Sequence, residues 1–166
     1  MNEITDNELI TISSKVGRIL TVKNLTAATA ESCTGGLLSH ILTAVSGSSG
    51  YFVGGIVAYS NRIKEQMLDV DSRTIIKYGA VSEQIAREMA NGVSQKLTAD
   101  IGLSTTGIAG PTGGTPEKPV GLVWIGIHIG DQTYTYECRF KGKRGAVKAS
   151  TVQEVLTRLL EILESA

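Results

Sequence analysis

Hydrophobic and polar positions in the first part of the chain switch from helical to extended spacing and back again. Residues 7–23 carry apolar side chains three or four positions apart, which predicts a helix, and Lys23-Asn24 is typical of its end. A short apolar run at 27–30 predicts the first strand. Apolar residues return at helical spacing from Leu37 to Val45, so a second helix should follow this strand after a brief turn.

The middle of the chain continues this alternation. Residues 51–59 are rich in β-branched and aromatic side chains, which predicts a strand, and Gly54-Gly55 within it indicates a bulge or a close backbone approach. Two short helical segments, 61–68 and 71–78, precede a longer one at 82–97 that has one apolar face.

The last third predicts three strands and one helix. The strands span 101–107, 121–129 and 133–140, and Gly130-Asp131-Gln132 supplies the turn of a hairpin between the last two. An apolar stripe predicts a final helix over 145–164. The whole pattern predicts a single α/β domain over residues 1–166, with three layers (α/β/α) and a mixed, mostly parallel sheet.

One loop stands out, between the strands at 101–107 and 121–129. It holds all three prolines of the chain within nine residues, together with two adjacent glycines, a composition that also suits a rigid surface connection. The loop follows Thr106-Gly107 at the carboxyl end of a strand, where open α/β sheets bind their ligands, and this position favours the edge of a pocket. No Gly-Lys-Ser/Thr follows its glycines, so it is not a Walker loop.

Composition and charge limit the classes of partner. The chain has 166 residues, of which 42% are hydrophobic, and its 16 basic and 16 acidic residues give a net charge of zero. We find no basic stripe with interleaved aromatics, which argues against a nucleic-acid surface and favours a small substrate. No apolar run reaches about 18 residues, and residues 1–6 lack the features of a signal peptide, so we expect a cytoplasmic protein without membrane association. The two cysteines and two histidines lack metal-ligand spacing, which predicts no metal site.

The segment Ala30–Gly36 (AESCTGG) lies where the first strand turns into the second helix. Free N–H groups at such a junction can hold an anion or a developing oxyanion, which makes Ser32 a candidate nucleophile. By itself, the segment is more typical of a helix cap with a tight glycine turn. A thiol at this place can also be activated, but the sequence offers no obvious histidine base, so Cys33 is expected to be a small buried neighbour.

Six blocks of sequence, taken in order, resemble the CinA C-terminal domain family and cover nearly the whole chain. They are 30–36 (AESCTGG), 47–49 (GSS), 59–61 (YSN), 79–82 (GAVS), 106–111 (TGIAGP) and 113–121 (GGTPEKPVG). Stand-alone bacterial members of this family are nicotinamide-nucleotide amidases. The resemblance therefore implies that the chain hydrolyses nicotinamide mononucleotide to nicotinate mononucleotide and ammonia, without a cofactor and as a homo-oligomer.

The resemblance also implies a catalytic set. Ser32 would attack the carboxamide, Lys64 would accept and return its proton, and Tyr59 would relay the proton or steady the lysine. A lysine can act as the base when its neutral form is favoured. These two assignments depend on the resemblance, because a lysine early in a polar helix is ordinarily a solvated surface residue.

The remaining expectations concern substrate binding. Lys141-Gly142-Lys143-Arg144 places three cations before the final helix, an unfavourable position unless an anion such as the phosphate of the substrate binds there. The resemblance implies a functional Arg144, although Lys143 and Lys148 depart from the residues usual in the family. Oxyanion donors are expected near Cys33–Gly36 or at Gly47–Ser49. The expected substrate-binding residues are Thr34, Gly35, Gly36, Gly47, Ser48, Ser49, Thr106, Gly107, Gly110 and Arg144.

A noncatalytic nucleotide-binding module, linked to competence or to the DNA-damage response, is the alternative function. It would share the glycine-rich loops and the cations. It would have no chemical reason to contain Ser32, Tyr59 and Lys64 together, and these three residues therefore discriminate between the two interpretations.

Overall fold

The structure, a computed structural model, describes residues 4–165, which form a five-stranded sheet with helices on both faces. Along the chain the elements are α1 Asp6–Lys23, β1 Ala27–Glu31, α2 Leu37–Thr43, β2 Phe52–Val57, α3 Asn61–Leu68, α4 Ser72–Tyr78, α5 Glu83–Leu97, β3 Ile101–Gly107, β4 Leu122–Ile129, β5 Gln132–Arg139 and α6 Arg144–Ser165. A 3₁₀ turn, Ser48–Gly50, precedes β2. The outermost residues of the predicted domain, 1–3 and 166, lie outside the described residues.

The strands are ordered β2-β1-β3-β4-β5. Strand β1 pairs in parallel with β2 and β3, whereas β3-β4 and β4-β5 are antiparallel pairs. The predicted mixed sheet is thus confirmed, and the parallel strands are its core. Glu31, at the end of β1, lies opposite Val57 of β2 and Thr105 of β3, so the three parallel strands end at the same edge of the sheet.

Two hydrophobic clusters cover the two faces of the sheet and give the three predicted layers. Helices α1, α2 and α6 pack on one face through buried residues such as Leu20, Ile41 and Leu156. Helices α3 and α5 pack on the other face through Leu68 and Met89. All residues of β1 are buried between these layers. None of the helices in residues 4–165 is long and apolar enough to cross a membrane.

Local signals place the ends of the elements close to the predicted positions. Thr5 and Glu8 form a capping box at the start of α1, and Asn24 ends that helix in the left-handed conformation (φ 54°). The hairpin turn is shorter than predicted, because Gln132 already pairs with Ile129 as the first residue of β5. The 3₁₀ turn before β2 was not predicted, since three residues are too few to show a periodicity.

The two glycines of β2 have separate structural reasons. The register between β1 and β2 shifts between Ala27 and Ala28, which is the irregularity that Gly54-Gly55 predicts. A Cβ atom on Gly55 would collide with the hydroxyl groups of Thr29 and Ser39, so no larger residue fits where α2 crosses the sheet. Both the bulge and the close approach are therefore present.

Candidate active site

A cavity of about 360 Å³ opens at the edge of the sheet where β1 and β3 end. The turn after β1, the first turn of α3, the loop after β3 and the first residue of α6 contribute to its wall. The residues expected from the sequence that line it are Ser32, Tyr59, Lys64, Thr106, Gly107, Gly110 and Arg144. The structure therefore brings the proposed catalytic residues and the arginine together in one concave site.

Ser32 and Lys64 are in direct contact. The Lys64 Nζ lies 3.1 Å from Ser32 Oγ, within hydrogen-bond distance. The backbone of Ser32 is held by β3, because its N–H donates to the carbonyl of Thr105 at 2.9 Å. Lys64 is held by the first turn of α3, which begins at the hydroxyl cap of Ser60. Strand β3 and helix α3 thus position Ser32 and Lys64 against each other.

The Lys64 side chain is only 1% exposed. Its Nζ also donates to the carbonyls of Ala58, at 2.8 Å, and Tyr59, at 3.3 Å. Among residues 4–165, no carboxylate forms an ion pair with it. Burial lowers the pKa of Lys64, because desolvation penalises the cationic form. The buried amine of Lys64 therefore loses its proton more easily than an exposed lysine does.

Cys33 also lines the cavity, but its surroundings suppress its reactivity. The side chain is 6% exposed, and burial raises the pKa of the thiol to about 12. A thiol rather than a thiolate is therefore present at neutral pH, and the thiol is a poor nucleophile. Of the two adjacent candidates, Ser32 contacts the Lys64 amine, whereas Cys33 is a neutral thiol at neutral pH.

The amino end of α2 is occupied by a side chain of the protein itself. The carboxylate of Glu31 accepts hydrogen bonds from the N–H groups of Gly36, Leu38 and Ser39 at 2.8–3.0 Å. The N–H of Gly35 donates to the carbonyl of Ser32. This corrects the expectation that the Gly35 and Gly36 amides bind an anion, because both amides already have acceptors.

Two other amides of the same turn remain. Within the part of the chain that the structure describes, the N–H groups of Cys33 and Thr34 donate to no carbonyl of another residue and to no carboxylate. They directly follow Ser32, whose hydroxyl would form the tetrahedral intermediate. Of the two residues, Cys33 lines the cavity and Thr34 is fully buried, so the Cys33 amide is the one placed to act in an oxyanion hole.

Arg144 spans one side of the cavity. Its Nη1 donates to the carbonyl of Gly110 at 2.8 Å, and its Nη2 donates to the hydroxyl of Tyr59 at 2.9 Å. The hydroxyl of Tyr59 therefore contacts the arginine, while its carbonyl contacts Lys64. Of the two expected roles of Tyr59, this geometry favours steadying Lys64 over relaying the proton, and it adds a contact with Arg144.

Three of the expected binding residues lie in the turn 32–36, between β1 and α2, but outside the lining of the cavity. Thr34 is fully buried, and its hydroxyl lies 2.6 Å from Glu31 Oε2 and 2.7 Å from Thr105 Oγ1. Gly35 and Gly36 have φ values of 60° and 100°, which other residues rarely adopt. These residues shape the turn rather than the cavity wall.

Gly47, Ser48 and Ser49 lie at the opposite edge of the sheet. They precede β2, whose first residue pairs with Ala27 at the start of β1, whereas the cavity opens where β1 ends. Within one copy of the chain they do not reach the site, contrary to the expectation that they bind substrate or the oxyanion.

Several residues of the cavity wall were not among the expected site residues. They are Asn61, Ala80, Val81, Ile108, Ala109, Thr112 and Gly113. All but Thr112 lie inside the six blocks that carry the family resemblance. The family resemblance was therefore the available sequence signal for these positions. Most of them are small or apolar, so their side-chain chemistry does not mark them as site residues.

Residues 9–163 match the CinA C-terminal domain. The chain belongs to the CinA C-terminal domain family. A CinA-like protein of Dictyoglomus thermophilum is 53% identical over 138 residues, which cover 83% of this chain and 34% of that protein. A CinA-like protein of Salinibacter ruber is 46% identical over 156 residues, covering 92% of this chain and 38% of that protein. The chain thus spans about a third of the length of the curated relatives it matches.

Solved structures of the superfamily have the same fold. A CinA superfamily protein of Klebsiella pneumoniae 700603 aligns with a TM-score of 0.92 at 34% identity, covering 95% of this chain and 99% of that one. The competence/damage inducible protein CihA of Agrobacterium tumefaciens also aligns with a TM-score of 0.92, at 35% identity and 98% coverage of both chains. These matches confirm the family and the fold that the sequence blocks predict.

Proposed function

We propose that this protein is a nicotinamide-nucleotide amidase, which hydrolyses nicotinamide mononucleotide to nicotinate mononucleotide and ammonia. The observation that carries the proposal is the contact between Ser32 Oγ and a buried Lys64 Nζ that has no carboxylate partner among the described residues. A serine next to a neutral amine is the arrangement of serine–lysine acyl-transfer enzymes.

The first half of the reaction follows from this contact. Lys64 takes the proton of Ser32 as the oxygen attacks the carboxamide carbon, and the amide of Cys33, which lines the cavity, stabilises the oxyanion. The tetrahedral intermediate then collapses, the C–N bond breaks, and Lys64 returns the proton to the departing ammonia. The product of this half is an ester between Ser32 and the nicotinoyl group.

The second half uses the same residues. Lys64 takes a proton from water, the resulting hydroxide attacks the ester, and the proton returns to Ser32 Oγ as nicotinate mononucleotide is released. The surroundings of Lys64 support both directions of proton transfer. The three oxygen atoms around Nζ hold it in place, and burial makes loss of its proton easier.

The cations at the start of α6 suit the phosphate of a nucleotide. Arg144 lies at the cavity, and Lys148 follows it by one helical turn, with its Nζ 3.6 Å from the place of a Cβ atom on Gly35. Two cations on the first turns of a helix are unfavourable without an anion, because the amino end of a helix is itself positive. A bound phosphate would make the arrangement favourable.

The noncatalytic binding module remains the second candidate, since solved relatives such as the competence/damage inducible protein CihA are described by competence and damage rather than by a reaction. It does not account for Lys64. Burying an amine without a counter-ion costs stability, and a binding module would gain nothing from that cost.

The direct test is incubation of the purified protein with nicotinamide mononucleotide, with ammonia and nicotinate mononucleotide measured together. We expect both products in equal amounts, and hydrolysis in H₂¹⁸O should place one heavy oxygen in the new carboxylate. Tight binding of the nucleotide without either product would favour the binding module.

The phosphate assignment gives a prediction for Arg144. Arg144→Ala should weaken binding of nicotinamide mononucleotide by about 1.5–3 kcal/mol, the size of a charge-assisted contact. Nicotinamide riboside, which lacks the phosphate, should bind poorly to the wild type and lose little more affinity in the variant. Calorimetric titration of both ligands against both proteins would measure this non-additivity.

Tyr59→Phe is the matched control, because it removes the hydroxyl that accepts from Arg144 and leaves the cation in place. It should affect the nucleotide and the riboside more evenly than Arg144→Ala does. Equal losses of nucleotide and riboside in Arg144→Ala would move the phosphate site away from this residue.

A further inference from the structure

Glu31 is a fully buried carboxylate that the reaction described above does not use. It is the last residue of β1, directly before Ser32. Its two oxygens accept five hydrogen bonds. Oε2 accepts from the Thr34 hydroxyl, the Gly36 N–H and the Leu38 N–H, and Oε1 accepts from the N–H and hydroxyl of Ser39. Five donors around one group match an ionised carboxylate, which only accepts.

No cation accompanies this carboxylate among residues 4–165. Its charge is instead balanced by hydroxyl groups and by the positive amino end of α2. The arrangement is an internal helix cap. The Glu31 carboxylate occupies the place at which a helix in other folds binds a phosphate. Its stability depends on all five contacts, because a buried charge is costly when a partner is missing.

The cap also determines the path of the chain through Ser32. Residues 32–36 lie between two fixed points, since Glu31 is held in β1 and its carboxylate holds Gly36 in the first turn of α2. The short turn between them is closed by the hydrogen bond from Gly35 N–H to Ser32 carbonyl. Thr34 joins the cap to β3 through Thr105. The direction of the Ser32 side chain follows from these constraints.

We propose that Glu31 is a positioning residue for Ser32: its carboxylate, by capping α2 from inside, holds the turn 32–36 so that Ser32 Oγ stays at Lys64 Nζ. The cap takes up the Gly36, Leu38 and Ser39 amides and leaves that of Cys33, at the cavity, for the oxyanion. This inference rests on the proposed function, in which Ser32 is the nucleophile.

The test measures the reactivity of Ser32 separately from turnover. Phenylmethanesulfonyl fluoride forms a bond between its sulfur and Ser32 Oγ, fluoride leaves with the S–F electron pair, and Lys64 accepts the proton. We expect the wild type to be labelled at Ser32, as located by mass spectrometry of the digested protein. Glu31→Gln, which has the same shape but places an NH₂ group against donors, should be labelled on the order of 100-fold more slowly.

The pH profile separates positioning from a general loss of structure. Labelling of folded Glu31→Gln should reach a lower plateau with an unchanged midpoint, because Lys64 keeps its surroundings. With nicotinamide mononucleotide, kcat should fall by a similar factor and KM should change little. A variant with a lower melting temperature but wild-type labelling at 25 °C would overturn the proposal.

Thr34→Val decides the question if Glu31→Gln does not fold. It removes one donor to the carboxylate and should slow labelling about 10-fold, the equivalent of one buried hydrogen bond. Thr43→Ala is the matched control, because this hydroxyl bonds only to backbone carbonyls of α2 and should leave the rate unchanged. Wild-type labelling in Thr34→Val would contradict the role of Glu31.

The failure of the proposed function would look different. A wild-type protein that is neither labelled at Ser32 nor active on the nucleotide would overturn the amidase proposal, and the positioning role with it. A wild type that is labelled, together with equally fast labelling of Glu31→Gln, would overturn only the role of Glu31. If the wild type is active but resists the reagent, the same fold-changes are expected in kcat.

Discussion

Ser32→Ala should abolish ammonia release from nicotinamide mononucleotide, with a loss on the order of 10⁴-fold or more in kcat. The substitution removes the attacking oxygen and almost nothing else, since the backbone of Ser32 is held by β3 through its N–H. The variant should therefore fold and bind the nucleotide with nearly the wild-type Kd. Stopped assays of ammonia and a calorimetric titration of the nucleotide would measure the two effects on the same preparation.

Cys33→Ala is the matched control for the neighbouring residue. Burial raises the pKa of this thiol to about 12, so it should contribute packing and no chemistry, and the variant should keep most of its activity. Substantial turnover in folded Ser32→Ala would remove Ser32 from the mechanism. An inactive but folded Cys33→Ala would favour the thiol as a participant.

The fold could be predicted closely because each element has its own local signal. The change between spacings of two and of three to four residues separates strands from helices, and caps such as Thr5 and Asn24 mark the ends of α1. The β4-β5 pair follows from a hairpin turn of two residues, Gly130-Asp131. The exposed edges and the order of the strands follow from long-range pairing, which no local pattern encodes.

The site was harder to predict, because its contacts join residues far apart in the chain. Ser32 and Lys64 are separated by 32 positions, and Tyr59 and Arg144 by 85. Lys64 has the sequence context of a surface lysine, and only the family resemblance selects it. Its burial is a consequence of tertiary packing, in which α3 lies against α5, and no local pattern shows that this side chain leaves the solvent.

Glu31 shows the limit of the motif itself. The AESCTGG segment correctly draws attention to a strand-to-helix junction, and such a junction predicts an anion-binding turn. The structure fills that turn with the carboxylate of the same segment. A sequence pattern can identify hydrogen-bond donors, but it does not show which acceptor binds them in the folded structure.

Lys64 variants should separate the base from the charge. Lys64→Met, which keeps the length of the side chain without the amine, should reduce kcat by about 10²–10⁴-fold. Lys64→Arg keeps a positive charge that is not lost at working pH, so it should lose nearly as much. Activity of the wild type should rise with pH through the lowered pKa of Lys64, since only the neutral amine accepts the proton of Ser32. Substantial activity in Lys64→Arg would assign Lys64 an electrostatic role instead.

The burial of Lys64 should also make the free energy of unfolding depend on pH. The pKa of Lys64 is lowered in the folded state from 10.5, so between the lowered value and 10.5 the unfolded chain binds more protons than the folded one. Wild-type stability should therefore rise with pH across that interval. The free energy of unfolding of Lys64→Met, minus that of the wild type, should be most positive below the folded pKa and should decrease toward pH 10.5.

Urea unfolding of both proteins at a series of pH values would measure this difference, and Lys15→Met, on the exposed side of α1, would correct for the general loss of a lysine. A difference that does not change with pH would mean that the folded protein holds Lys64 as an ordinary cation. It would then lack the neutral amine that the reaction needs, so this stability measurement tests the general base without any substrate.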